Sequence, residues 1–147
     1  MGLLRKWESF RRTEPMTRKL FVMAWFTSGI VRFTLRFLPF SKVLAWKGEP
    51  GIECPKEPHP DSQHFRLALK RALVLCDRYA PWGTECYTRA LTGKIMLNRA
   101  GLPGTVYVGF HKKPDGRYEG HAWLRSYDSY LTGAEQMQLY SVHSFYT

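Results

Sequence analysis

Hydrophobic and polar positions along this chain change period once, and the change separates a helical part from a β part. From Met16 to Phe40, "MTRKLFVMAWFTSGIVRFTLRFLPF", apolar residues cover most of a helix. Its uncharged run, Leu20 to Val31, is shorter than the roughly 20 apolar residues a bilayer span needs. Arg32 and Arg36 lie four apart on one side of that helix, which stops at Pro39. Its wide apolar surface has to be covered by the domain core, another subunit or a membrane interface. Breadth and scarcity of charge favour packing on protein. Residues 47–61, "KGEPGIECPKEPHPD", hold four prolines and two glycines and read as a linker or surface loop. Asp61 or Ser62 then caps a helix whose apolar positions, Phe65, Leu69, Ala72 with Leu73, and Cys76, recur at helical spacing. Pro81 breaks it. Thr84 is the expected N-cap of the next helix, "ECYTRALTGKIMLNRAG", which closes at Gly101.

The period then drops to two. "GTVYVGFH" (104–111) reads as a strand, "KKPDG" as a turn and "RYEGHAWLRS" as the returning strand. "YDS" reverses the chain again, and "YLTGAEQMQLYSVHSFY" offers one or two further strands. Helices followed by an antiparallel meander make the class α+β. The organisation expected is an apolar, basic helical segment over 1–50, a linker over 51–61 and a compact domain over 62–147.

Charge sharpens this division. Residues through Pro50 carry ten Lys/Arg against three acids, +7, while the remainder carries twelve against nine, +3. Such asymmetry suits an acidic partner, a membrane surface or a solvated basic face. Nucleic acid is not expected, because the aromatics there lie among aliphatics rather than interleaving with basic residues. Cys54, Cys76 and Cys86 are odd in number and irregular in spacing, which argues against a disulfide framework and a zinc ribbon. "MGLLRKWESFRRTEP" lacks an apolar signal core, and Lys6 stands where a myristoylation motif wants Ser or Thr. A reducing, cytoplasmic setting is expected.

Two residues carry candidate chemistry. Cys76 falls on an apolar stripe and reads as core, whereas Cys86 falls in the first turn of its helix. There unpaired N–H groups and the dipole favour thiolate. His59, His64 and His143 resemble surface histidines, and His111 a solvated strand end. His121 is different. A three-residue loop at Pro114-Asp115-Gly116 sets it opposite Gly109, whose missing side chain would leave open space above the imidazole. Trp82 is a candidate cleft wall. Ala90 and Gly93, on the Cys86 side of its helix, would let that helix sit close to the sheet.

"PWGTECYTRALTGKIMLNRAGLPGTVYVGFHKK" followed by "EGHAWLRSYDSYLTG" resembles the transglutaminase-like cysteine-protease domain of lasso-peptide biosynthesis, in its short, separate form. The resemblance covers about residues 62–140 and rests on the P-W-x-x-x-C helix start, the R-A-G-L-P-x-T joint and H-A-W on a strand. It implies a papain-like α+β core with Cys86 as nucleophile and His121 as base, and it implies no cofactor. It also implies a precursor peptide cut at its leader–core junction, a separate leader-binding protein and a lasso cyclase that uses the freed N-terminus. The N-terminal helix is the expected docking element for these partners, with peripheral membrane contact as its other reading. A triad's third member orients the imidazole. Asp128, at the tip of a reversal, would lie about 20 Å from His121. Gly133 stands where the family commonly carries aspartate. The turn geometry instead places Ala134, Glu135 and Gln136 near the ring, so Glu135 is the expected carboxylate, with Gln136 or no third member as alternatives. Two other functions stay open: a transglutaminase-like acyltransferase, in which an amine resolves the thioester, and a non-catalytic peptide- or membrane-binding module.

Overall fold

Across residues 2–147, which the computed structural model describes, five helices precede a four-stranded antiparallel sheet. The helices are α1 (Gly2–Arg12), α2 (Pro15–Phe37), α3 (Phe40–Lys47), α4 (Gln63–Tyr79) and α5 (Cys86–Arg99). The strands are β1 (Thr105–Lys112), β2 (Tyr118–Ser126), β3 (Ser129–Thr132) and β4 (Ser141–Tyr146). The α+β class expected from the pattern is the class observed.

Pro15 opens α2 with its backbone angle already set for helix, and Leu38, extended ahead of Pro39, ends it. One side of α2 buries Leu20, Ala24, Thr27, Ser28 and Val31 against α4 and α5. Leu20, Ala24 and Val31 share one apolar core with Leu69 and Leu73 of α4, Leu91 and Leu97 of α5, and Leu124 of β2. Helix α2 is therefore built into the core that carries the sheet. The proline-rich loop is strapped at its start to the end of β4. Glu49 and Thr147 exchange backbone hydrogen bonds at 2.6 and 2.9 Å, and Gly51 N–H donates to Phe145 O at 3.0 Å.

Close approach of α5 to the sheet depends on small side chains. Ala90 is fully buried, and a Cβ on Gly93 would stand 2.5 Å from Leu124 Cδ2 and 3.1 Å from Leu73 Cδ1. Beyond α5, Gly101 takes φ +69°, and Leu102 N–H donates to Leu97 O at 3.0 Å, closing the helix as its glycine predicts. Lys94 Nζ donates to Gly104 O at 2.8 Å across this joint, and burial pulls its ammonium below the usual range.

The β1–β2 hairpin has the predicted loop and register. Lys113 N–H donates to Arg117 O at 2.8 Å, and Gly109 pairs with His121. The rest of the sheet departs from a meander, because β4 pairs with β1 and the strand order is β3-β2-β1-β4. Gly133, at φ +72° and ψ +8°, turns the chain off the β3 line into a 3-10 helix, Ala134–Leu139, that leads across to the far edge.

Gly93→Val tests the helix–sheet approach. Overpacking against fully buried Leu124 should destabilise the protein by about 2 kcal/mol or more in urea denaturation. A neutral effect would contradict the close contact.

Candidate functional site

Cys86 is the first residue of α5, and the turn before it is anchored to α2. Trp82 Nε1 donates to Ser28 Oγ at 3.1 Å, its ring lies over Gly29, and Trp25 meets it at a 4.4 Å ring separation. A Cβ on Gly29 would stand 3.1 Å from the Trp82 ring. Trp82 thus anchors that turn to α2. Ser28 Oγ also lies 3.2 Å from Cys76 Sγ, so one hydroxyl joins α2, α4 and the turn.

Thr84 does not cap α5. Helix α5 starts one residue later than expected, so Thr84 precedes the cap position, and its hydroxyl donates to Asp77 Oδ1 at the end of α4 at 2.6 Å. Glu85 takes the N-cap position without a side-chain capping bond. The helix start at Cys86 therefore keeps its N–H groups free of a side-chain cap, in the geometry that attracts negative charge. All three cysteines are free thiols; Cys54 and Cys76 are buried and Cys86 is partly exposed. Burial pushes the Cys76 thiol up, partly offset by its Ser28 hydrogen bond, in keeping with a core cysteine.

His121 is buried on β2 between two aromatic rings, Tyr140 at 4.8 Å and Trp123 at 5.7 Å. Its Nε2 lies 2.9 Å from Gly133 O. A carbonyl only accepts, so Nε2 carries the hydrogen, and Nδ1 of the neutral ring is left as the proton acceptor. The space opposite, over Gly109, is filled rather than open. A Cβ there would stand 2.9 Å from both Trp123 Cη2 and Ser141 O. That glycine admits an indole and the crossing β4 strand.

Glu135 is not where the turn geometry predicts. Leu124 pairs with Thr132 after a bulge, and continuing that ladder would have set residue 135 opposite His121. The ladder stops at Thr132 instead, because Gly133 leaves it in the left-handed conformation. Glu135 falls in the 3-10 helix with its side chain exposed, as does Gln136. The group on the imidazole is the main-chain oxygen of Gly133. A Cβ on Gly133 would itself stand 3.1 Å from Nε2 and 2.7 Å from Ala122 O.

Asp128 sits at the β2–β3 turn and is bound by the buried Arg66, whose Nη1 donates to it at 3.0 Å and to Ser126 O at 3.0 Å. The Arg66 hydrogen bond holds the Asp128 carboxyl below the usual range. The other histidines have separate partners. His59 lies 3.8 Å from Asp61, His64 pairs with Glu14 at 2.7 Å, and His143 meets the Phe110 ring edge-on. His111 is half-buried and meets the Tyr140 ring at 6.0 Å, rather than standing as a solvated strand end.

Two tyrosines that the sequence reading passed over join the cysteine to the histidine. Burial, then the charges of Glu119 and Cys86, push up the Tyr140 phenol, whose ring stacks on His121. Burial, then Cys86 and Tyr140, push up Tyr87. The Tyr87 hydroxyl occupies the side-chain space of Gly120, next to His121; a Cβ there would fall 2.0 Å from it. Cys86, Tyr87, Tyr140, Glu119 and His121 thus form one neighbourhood where the start of α5 meets β2. Among the described residues, Cys86 Sγ and the imidazole share no hydrogen bond; in unliganded sites such bonds are often long and tighten around substrate. No cluster of three His, Cys, Asp or Glu suited to a metal occurs among the described residues.

A cysteine at the head of a helix that packs on an antiparallel sheet bearing a buried histidine defines the papain-like α+β class. Residues 31–144 match the family model of the transglutaminase-like superfamily, and the chain belongs to that superfamily. The match begins within α2, in keeping with that helix's place in the core. No curated protein and no solved structure matches the chain. The superfamily's typical chemistry is that of cysteine proteases and transglutaminases, acyl transfer through a thiol.

Two substitutions probe this site. Gly133→Ala should cost about 2 kcal/mol or more in urea denaturation, since a side chain there meets both a left-handed backbone and the Ala122 carbonyl. Asp128 has a lower folded than unfolded pKa, so its contribution is present above the unfolded value and is lost as pH falls through the folded one. Asp128→Asn should therefore flatten the acid limb of stability, below about pH 4, measured by thermal melting across pH.

Proposed function

We propose that this protein is a cysteine peptidase that removes the leader from a ribosomally made lasso precursor peptide, presented by a separate leader-binding protein. The observation that carries the reading is the buried His121, held through Nε2 by Gly133 O beside a neighbourhood that includes Cys86 at the head of α5. The ordered motifs quoted above and membership of the superfamily support it.

In this reading Nδ1 of His121 takes the thiol proton and the Cys86 thiolate attacks the carbonyl at the leader–core junction. Backbone N–H groups at the start of α5 receive the developing oxyanion. The imidazolium returns its proton to the departing amine of the core peptide, and a thioester to the leader half remains. Water, deprotonated by the same imidazole, hydrolyses it. The Gly133 carbonyl fixes ring and tautomer but contributes a dipole where a carboxylate would contribute a full charge. Glu135 is not part of the machinery. The freed amine suits a cyclase that closes the lasso ring, and no cofactor is required.

Mass spectrometry of the precursor encoded beside the gene, with and without the leader-binding partner, tests the reading. Wild type should yield two fragments that together equal the precursor plus one water, faster with the partner present. Cys86→Ala and His121→Ala should each lose more than about 1,000-fold in rate, and Glu135→Gln should stay within about threefold. Undiminished cleavage by Cys86→Ala would overturn the assignment. A cross-linked product formed with loss of ammonia would make the enzyme an acyltransferase instead.

A further inference from the structure

The N-terminal helices present apolar surface that the core does not cover. On α2, Val22, Phe26, Ile30, Phe33 and Phe37 are spaced by four, four, three and four residues and so share one face. That face lies opposite the buried Leu20, Ala24 and Val31. Phe26, Ile30, Phe33 and Phe37 are each 62–67% exposed, so the helix is apolar both inward and outward. By length and composition α2 could cross a membrane, although its longest uncharged run is short. Its inner face, however, is committed to α4 and α5, and Gly29 lies under Trp82, so protein covers the side that lipid would have to reach. A helix held in this way can meet a bilayer only along its outer side.

Helix α1 carries a second exposed apolar face. Leu3, Trp7 and Phe10 share a face, with Lys6 and Arg11 at its margins and Arg5 and Arg12 behind. It buries no residue, and Leu3, Leu4 and Trp7 are 60–85% exposed. Phe10 leans on Phe21 at 5.5 Å, which leaves a groove of about 310 Å³ between α1 and the body, floored by Leu75 and Tyr79 and edged by Lys6. Acids are scarce across this region. Glu8, Glu14 and Glu49 face ten Lys/Arg through Pro50, and Glu14 is already taken by Thr17 and His64. Apolar side chains beside uncompensated basic ones meet the two demands of an anionic bilayer, a hydrocarbon layer and phosphate headgroups.

We propose that α1 and the outer face of α2 form a peripheral docking surface for an anionic lipid bilayer. Trp7, Leu3, Leu4 and the α2 stripe enter the acyl boundary while Lys6 and Arg11, at the margins, contact headgroups. The surface acts independently of the peptidase reading, since neither Cys86 nor His121 takes part.

Co-sedimentation of the full chain with vesicles tests it. Binding to vesicles containing phosphatidylglycerol should exceed binding to phosphatidylcholine alone by about tenfold or more and fall as salt is raised. Trp7→Glu and Phe33→Glu should each weaken it about tenfold with melting curves unchanged, both positions being exposed. The combination Lys6→Gln and Arg11→Gln should weaken it and reduce its salt dependence, whereas Cys86→Ala should bind as wild type. Equal binding to both vesicle types, or wild-type binding by Trp7→Glu and Phe33→Glu, would overturn the proposal. So would a stable dimer in light scattering that does not bind vesicles, which would assign the stripe to a second copy of the chain.

Discussion

The hydrogen bond between His121 Nε2 and the Gly133 carbonyl is the constraint on which the β half of the molecule turns. For that oxygen to reach the imidazole, residue 133 adopts a left-handed backbone, and that conformation ends β3. The chain is then directed through a 3-10 helix to the far edge of the sheet, where β4 lies beside β1. The same crossing lays Tyr140 on the histidine ring and places Ser141 over Gly109. Strand order, ring stacking and tautomer thus follow from one backbone torsion at a glycine. A peptide dipole in this place orients the ring, yet it stabilises an imidazolium less than a carboxylate would.

The cysteine is placed from the other side, by close packing. Trp82 seats its indole over Gly29 and its N–H on Ser28, which fixes where the turn before α5 begins. Gly93 lets α5 settle onto Leu124, in the strand that also carries His121. Thr84 is tied to Asp77 one residue ahead of the cap position, and Glu85 at that position leaves the helix N–H groups without a side-chain cap. Helix α2 therefore frames the start of α5 from within while its outer face remains apolar. The charge asymmetry of the first fifty residues and the geometry of the site meet on this one helix.

What was legible in the sequence was local. The glycine of "KKPDG" and the period-two strands around it set the hairpin, so Gly109 opposite His121 could be read residue by residue. Helical spacing placed Cys76 in the core, and the prolines bounded α2 and ended α4. What failed was decided by contacts between distant segments. Thr84 has the chemistry of an N-cap, but α5 begins one residue further on and its hydroxyl is tied to Asp77 instead. Counting down the ladder reached Glu135 because nothing local says that Gly133 would leave the strand. Gly109 read as open space because Trp123, two residues beyond its partner, folds over it. Tyr140 had no signal at all, since its contact with His121 exists only through the crossover.

The central claim concerns the protonation of one ring, and it can be measured without substrate. Long-range nitrogen–carbon-bound-proton NMR spectra of the labelled protein, with His121 assigned by loss of its signals in His121→Gln, report which ring nitrogen bears the hydrogen. At a pH where the ring is neutral, the account predicts the Nε2–H form, with Nδ1 unprotonated and ready to accept the Cys86 proton. A ring in the Nδ1–H form would contradict it, because the Gly133 carbonyl could not then be its partner.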